Sequence, residues 1–90
     1  MNSPQIRNYA HAFAKQILPA YRQSPEAAVK QGYQQAIAHS PDDDELSSSL
    51  DFLAAQEKSY AVSDPSSATE LALADFCQVL FGLNEFIYVD

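Results

Sequence analysis

The sequence predicts an all-α fold, a compact four-helix bundle with a short C-terminal tail packed on it, and three observations carry that prediction. Four dipeptides, Ser3-Pro4, Ser24-Pro25, Ser40-Pro41 and Asp64-Pro65, each place an N-cap oxygen before a proline. The fixed φ of proline suits the first helical position, and its missing N–H would be unpaired there in any case. Apolar residues after each dipeptide recur at three- and four-residue steps, the period of a helix face. Only two glycines occur in 90 residues, too few for the many tight turns of an all-β chain.

Ninety residues make a single domain, residues 1–90. A chain of this size buries little more than about 60% of its unfolded surface, so it has one modest core. The 47% apolar fraction can build that core, and the 19% charged fraction argues against disorder.

The first helix is predicted over about residues 4–18, with Ile6, Tyr9, Ala10, Phe13, Ile17 and Leu18 forming an apolar stripe. Arg7, His11 and Lys15 stack at four-residue steps on another face, and Pro19 should end or kink the helix at Leu18. The second helix, about residues 25–39, turns Val29, Tyr33, Ala36 and Ile37 inward. Gly32 within it costs about 1 kcal/mol relative to alanine, which suits a close helix crossing or simple tolerance.

The third helix, about residues 41–58, has the strongest start signal. Ser40 stands three residues before Asp43 in a capping-box spacing, and Asp42, Asp43, Asp44 and Glu45 place anions at the positive end of the dipole. Leu46, Leu50, Phe52, Leu53 and Ala54 supply its inward face, while the serines at 47–49 need tertiary packing to stay helical. The fourth helix, about residues 65–82, is the most apolar and the centre of the bundle, interrupted mainly by Glu70, Asp75 and Gln78, with Gly82 suited to a left-handed cap. Residues 84–90 are too apolar to float and should lie back across the bundle.

The charge is uneven. Residues 1–39 hold four cations against one acid, a charge of +3, whereas residues 40–90 hold Lys58 against eleven acids, a charge of −10, which together give the net −7. Such a surface repels phosphate, so neither nucleic acid nor an anionic membrane is an expected partner, and no segment has the length of uninterrupted apolar sequence that membrane insertion requires. The lone Cys77 allows no internal disulfide and no multi-cysteine metal site, and CxxCH haem attachment is missing from the sequence. Arg7, His11 and Lys15 break any secretory apolar run in the first twenty residues.

Candidate chemistry is sparse. The acids at 42–45 lack the alternating ligands, turn glycine and distant glutamate of a calcium loop, and the helix dipole accounts for them. His39 is expected at a helix C-terminus, where a cation is favoured. Together with His11 and nearby acids it defines the alternative reading, a small metal-binding or hydrolytic site. Cys77 is expected buried and unreactive. No catalytic, cofactor-binding or metal residue is assigned; the expected contact residues are Phe86, Tyr88 and Asp90 in the tail.

Residues 72–80, ALADFCQVL, and residues 84–90, NEFIYVD, resemble the C-terminus of a planctomycete-specific domain of unknown function. Residues 33–46 are similar to that family's recurrent helix, turn and acidic helix start, with Pro41 and Glu45 in matching places; Ala38 and His39 stand where the family commonly has Gly-Arg. The domain closes large secreted proteins that often carry a planctomycete cytochrome c domain. The resemblance implies the terminal helical part of a longer extracytoplasmic protein, and it transfers no catalytic residue. The expected function is therefore a non-enzymatic helical accessory or protein-interaction module, whose partner is an upstream domain of the same polypeptide or another protein. A structural segment that completes the core of upstream domains is the further alternative.

Overall fold

Alanine-rich apolar stripes have to be sheltered, and the chain shelters them with four helices packed around one another: α1 (Pro4–Gln23), α2 (Pro25–Ile37), α3 (Asp43–Ala61) and α4 (Ala68–Ile87). The structure is a computed structural model that describes residues 4–87, with side chains to residue 83. It is an all-α four-helix bundle, and no strand occurs among the described residues. Helices α1, α2, α3 and α4 form a ring in which each packs on the next, and α2 and α4 also meet across the middle. Among the described residues the backbones of α1 and α3 do not come close to each other, so these helices occupy the long diagonal and meet through long side chains.

Gly32 explains the short diagonal. A Cβ built there would lie 3.0 Å from Leu80 Cδ1 and 3.2 Å from Phe76 Cε2, so the bare backbone of α2 is what lets α4 come this close. The glycine serves the close crossing rather than being tolerated. Around it the core gathers Ala10, Phe13 and Ile17 from α1, Val29 and Tyr33 from α2, and Leu73, Phe76, Cys77 and Leu80 from α4. Phe13 and Phe81 stack with ring centroids 5.6 Å apart, a geometry that adds to simple burial. Helix α3 contributes much less to the shelter, since only Leu53 and Ser49 are buried on it, while Leu46, Leu50 and Phe52 are half-buried and Ala54 is exposed.

Several expected boundaries are corrected. Helix α1 does not end at Leu18 but continues through Pro19 to Gln23. Pro19 removes one backbone bond, yet Ala20 and Tyr21 pack against the core beyond it and Ser24 N–H donates to Ala20 O at 2.9 Å, which holds the last turn in place. Helix α2 stops at Ile37, and Ala38 takes the left-handed conformation (φ 66°) with its N–H shared between Tyr33 O and Gln34 O. His39 therefore lies beyond a helix cap instead of in the last helical turn.

The α3 cap moves two residues along, from Ser40 to Asp42. Asp42 Oδ1 accepts from Glu45 N–H at 2.7 Å, and Glu45 Oε1 accepts from Asp42 N–H at 2.9 Å. A capping box needs an acid long enough to reach back; Glu45 is, and Asp43 is one methylene shorter. Asp64-Pro65 opens a turn rather than α4 itself, with Ser67 N–H donating to Asp64 O at 3.2 Å, and the helix begins at Ala68.

Gly82 caps nothing. No described glycine has a positive φ, and α4 runs through Gly82 to Ile87, so residues 84–87 extend the helix instead of folding back. Glycine at a helix end is a preference, and it yields where the chain beyond continues in helical form. Tyr88, Asp90 and the side chain of Phe86 lie outside the described residues.

Candidate functional site

Two carboxylates organise the polar interior, and each ties three helices together. Asp75 projects from the middle of α4, where the neighbouring Ala74 and Phe76 are buried. Its Oδ1 pairs with Arg7 of α1 at 2.7 Å, while its Oδ2 accepts from Gln56 Nε2 at 2.7 Å and from Tyr60 OH at 2.9 Å, both on α3. Arg7 also donates to Gln78 Oε1, one turn further along α4, at 3.1 Å. A carboxylate taken this far out of water is stable only when donors replace its hydration, and three side chains do so here. Burial, the hydrogen bond to Asp75 and the charge of Asp75 raise the Tyr60 hydroxyl pKa above its ordinary value, and Arg7 partly offsets them.

Glu57 makes the second node, from α3. It accepts from Tyr21 OH of α1 at 2.9 Å, and its other oxygen accepts from Thr69 Oγ1 at the start of α4. Burial first, and then the adjacent carboxylate, push the Tyr21 hydroxyl up to about 12. Gln56, Glu57 and Tyr60 occupy one turn of α3, so a single turn carries both nodes.

The described side chains singled out from sequence lie on separate elements, His11 on α1, His39 after α2 and Cys77 on α4. His39 Nδ1 sits 2.7 Å from Ser40 O, and its ring tilts against Tyr33 with centroids 6.0 Å apart. His11 is half-buried on α1. Among the described residues, no three His, Cys, Asp or Glu side chains are grouped to hold a metal ion. Cys77 is fully buried, and burial pushes its thiol up to about 12, which leaves little thiolate for nucleophilic chemistry at neutral pH.

The surface feature that sequence reading missed lies between α3 and α4. Two adjoining hollows of about 420 and 470 Å³ share Phe52 and Val79. Phe76, Leu80 and Leu83 continue the larger one, and Asp44 and Glu45 form its rim. It is roomy because Ser48 and Ser49 face it with short side chains, so the serine run predicted to need tertiary support is also what opens the surface. Val79 is 47% exposed and Leu83 40%, in the helix expected to be the most sheltered of the four. The signal available in sequence was that α4 has apolar residues all round, more than three neighbours of this size can cover. Among the described residues, no helix is long and apolar enough to cross a membrane. Neither the family models, nor the curated proteins, nor the solved structures provide a match to this chain.

Proposed function

We propose that this chain is a non-enzymatic helical accessory or protein-interaction module, and that it forms the C-terminal piece of a larger extracytoplasmic protein. The observation that carries the first part is the pairing of Val79 and Leu83, both well exposed, on a groove with an apolar floor beside α3. Water in contact with large apolar side chains is a standing driving force for association. The polar groups that could do chemistry, Asp75, Glu57, Arg7 and Tyr60, are engaged in joining helices. The second part rests on the resemblance of residues 72–80 and 84–90 to the closing segment of the planctomycete domain.

The test is site-specific photocrosslinking in the cells that make the protein, with the photoreactive residue placed at Val79 and, as a control, at the exposed loop residue Val62. A discrete crosslinked product from position 79 that position 62 does not give, whether within the same polypeptide or to another one, supports an interaction module. Identical patterns from the two positions sink the reading.

A further inference from the structure

We infer that the α3/α4 groove receives a basic amphipathic helix, with two or three large apolar side chains seated over Phe52, Val79 and Leu83 and lysines or arginines against the α3 rim. The inference rests on the interaction-module reading and adds to it the chemistry of the partner.

Shape gives the apolar half of the argument. The adjoining hollows extend along α3 from Asp44 to Gln56, which at about 1.5 Å per residue is about 18 Å, or about three helical turns. A helix laid in such a groove presents anchors at i, i+4 and i+7, and the exposed Val79 and Leu83, themselves four apart, offer matching contacts. The short side chains of Ser48 and Ser49 leave the depth that an inserted leucine or phenylalanine needs.

Charge gives the basic half. Asp44 and Glu45 stand on the rim and Asp42 and Asp43 are exposed beside them; Asp75 borders the second hollow but is already paired with Arg7, so the attracting charge is that of the α3 rim. Among the described residues, no lysine or arginine lines either hollow. Four of the five cations of the chain belong to residues 1–39, so the half that forms the groove carries −10. An acidic segment approaching this face meets like charge, which costs affinity and slows encounter, whereas a basic one is steered toward it. A second copy of this net −7 chain is disfavoured for the same reason.

The experiment is fluorescence anisotropy with the full chain and three labelled helical peptides of about 12 residues: leucine/lysine amphipathic, leucine/glutamate amphipathic, and serine/lysine with the apolar face removed. Saturable one-to-one binding of the leucine/lysine peptide is expected, at least about tenfold weaker for each of the other two. Ser48→Trp, at an exposed site, fills the groove and should weaken binding by about tenfold or more with unchanged thermal unfolding. Asp44→Asn should weaken it by about threefold and flatten its salt dependence.

Equal binding of the glutamate peptide, no binding of the lysine peptide, or indifference to Ser48→Trp each overturns the inference. Self-association of the chain alone that Ser48→Trp abolishes also overturns it, by naming a second copy as the occupant. These failures leave the crosslinking result at Val79 standing, so a wrong partner chemistry is distinguishable from a wrong module reading.

Discussion

Helix α4 is held on its two sides by different physics. Toward α1 and α2 it offers Leu73, Phe76, Cys77 and Leu80, buried to the last few per cent against Phe13, Ile17 and the bare backbone at Gly32. Toward α3 the fully buried apolar partner is Leu53, with Leu46, Leu50 and Phe52 half-buried against the core, and Asp75 and Glu57 add side-chain hydrogen bonds. Apolar burial is non-directional and scales with area, so the first side is stable wherever the shapes fit. The second side depends on side-chain hydrogen bonds whose net contribution is modest, while the loss of any one partner strands a desolvated group. A bundle built this way has a body of α1, α2 and α4 around the fully buried core and a fourth member, α3, that runs along α4 with fewer fully buried side chains and more side-chain hydrogen bonds. The open groove lies on the α3 side for the same reason: where polar contacts and short serines replace interdigitated apolar side chains, surface is left over.

The sharpest way to break the contrast is on the apolar side. Leu80→Ala removes a fully buried side chain beside Gly32 and should cost about 2–5 kcal/mol. Native-state hydrogen exchange should then rise in all four helices, because that core is common to the body. Gly32→Leu should cost about 1–3 kcal/mol by overpacking the same crossing. If Gly32→Leu proved neutral in chemical denaturation, the short diagonal would not depend on the glycine.

Asp75→Ala probes the other side. It removes the acceptor shared by Arg7, Gln56 and Tyr60, of which Arg7 keeps its bond to Gln78, and the cost should be about 1–3 kcal/mol, by the penalty for leaving partly buried polar groups unpaired. The readout that matters is its distribution. Exchange should accelerate first in α3, at free energies below global unfolding, with α1, α2 and α4 less affected. Uniform acceleration across the four helices would show that the two sides of α4 are one cooperative unit.

The same division explains how much could be read from sequence. Ala10, Phe13 and Ile17 fall at helical steps, as do Ala72, Phe76 and Leu80, so the apolar body and the four-helix class were legible in the spacing. By local pattern Asp75 reads as an interruption of an apolar helix and Arg7 as one member of a stripe with His11 and Lys15 on a face away from the apolar one. Their pairing depends on where α1 lies on α4, which no local pattern encodes. Glu57 and Tyr21, 36 residues apart, are invisible in the same way. The groove was hidden by a further step, since exposure of Val79 and Leu83 follows from how little of α4 the half-buried Phe52 and the short Ser48 and Ser49 can cover. The α3 start shows the opposite case. Both possible capping registers were written in residues 40–45, and the reach of a glutamate compared with an aspartate decides between them.

Ala38→Gly supplies a reference that touches neither side. Ala38 has φ 66°, a region that costs an L-residue about 1–2 kcal/mol and glycine little. Part of the gain is returned through the greater freedom of glycine in the unfolded chain. A net stabilisation of about 1 kcal/mol or less is expected, spread evenly over the four helices in hydrogen exchange. An uneven gain would mean that the turn between α2 and α3 belongs to one side more than the other.

The smallest effect is an alkaline one, and it isolates the polar side. The folded chain holds the Tyr21 proton more tightly than the unfolded chain, because burial and Glu57 push that hydroxyl from 10.0 to about 12. Its contribution is complete below the unfolded value of 10.0 and is lost as pH rises through about 12. Tyr60 titrates in the same direction, and Cys77, pushed from 9.0 to about 12, adds its own loss from pH 9 upward. The wild-type fall is therefore composite, and the difference from Tyr21→Phe gives the share of one hydroxyl. Tyr21→Phe should lose a little stability at neutral pH through the missing bond to Glu57 and should fall less steeply between pH 10 and 12. Chemical denaturation of both chains across that range, with tyrosinate absorbance to follow the titration, supplies the comparison. Identical slopes would mean that Tyr21 ionises as freely in the folded chain as in the unfolded one, and the bond from α1 to Glu57 would then have to be removed from the account of what holds α3.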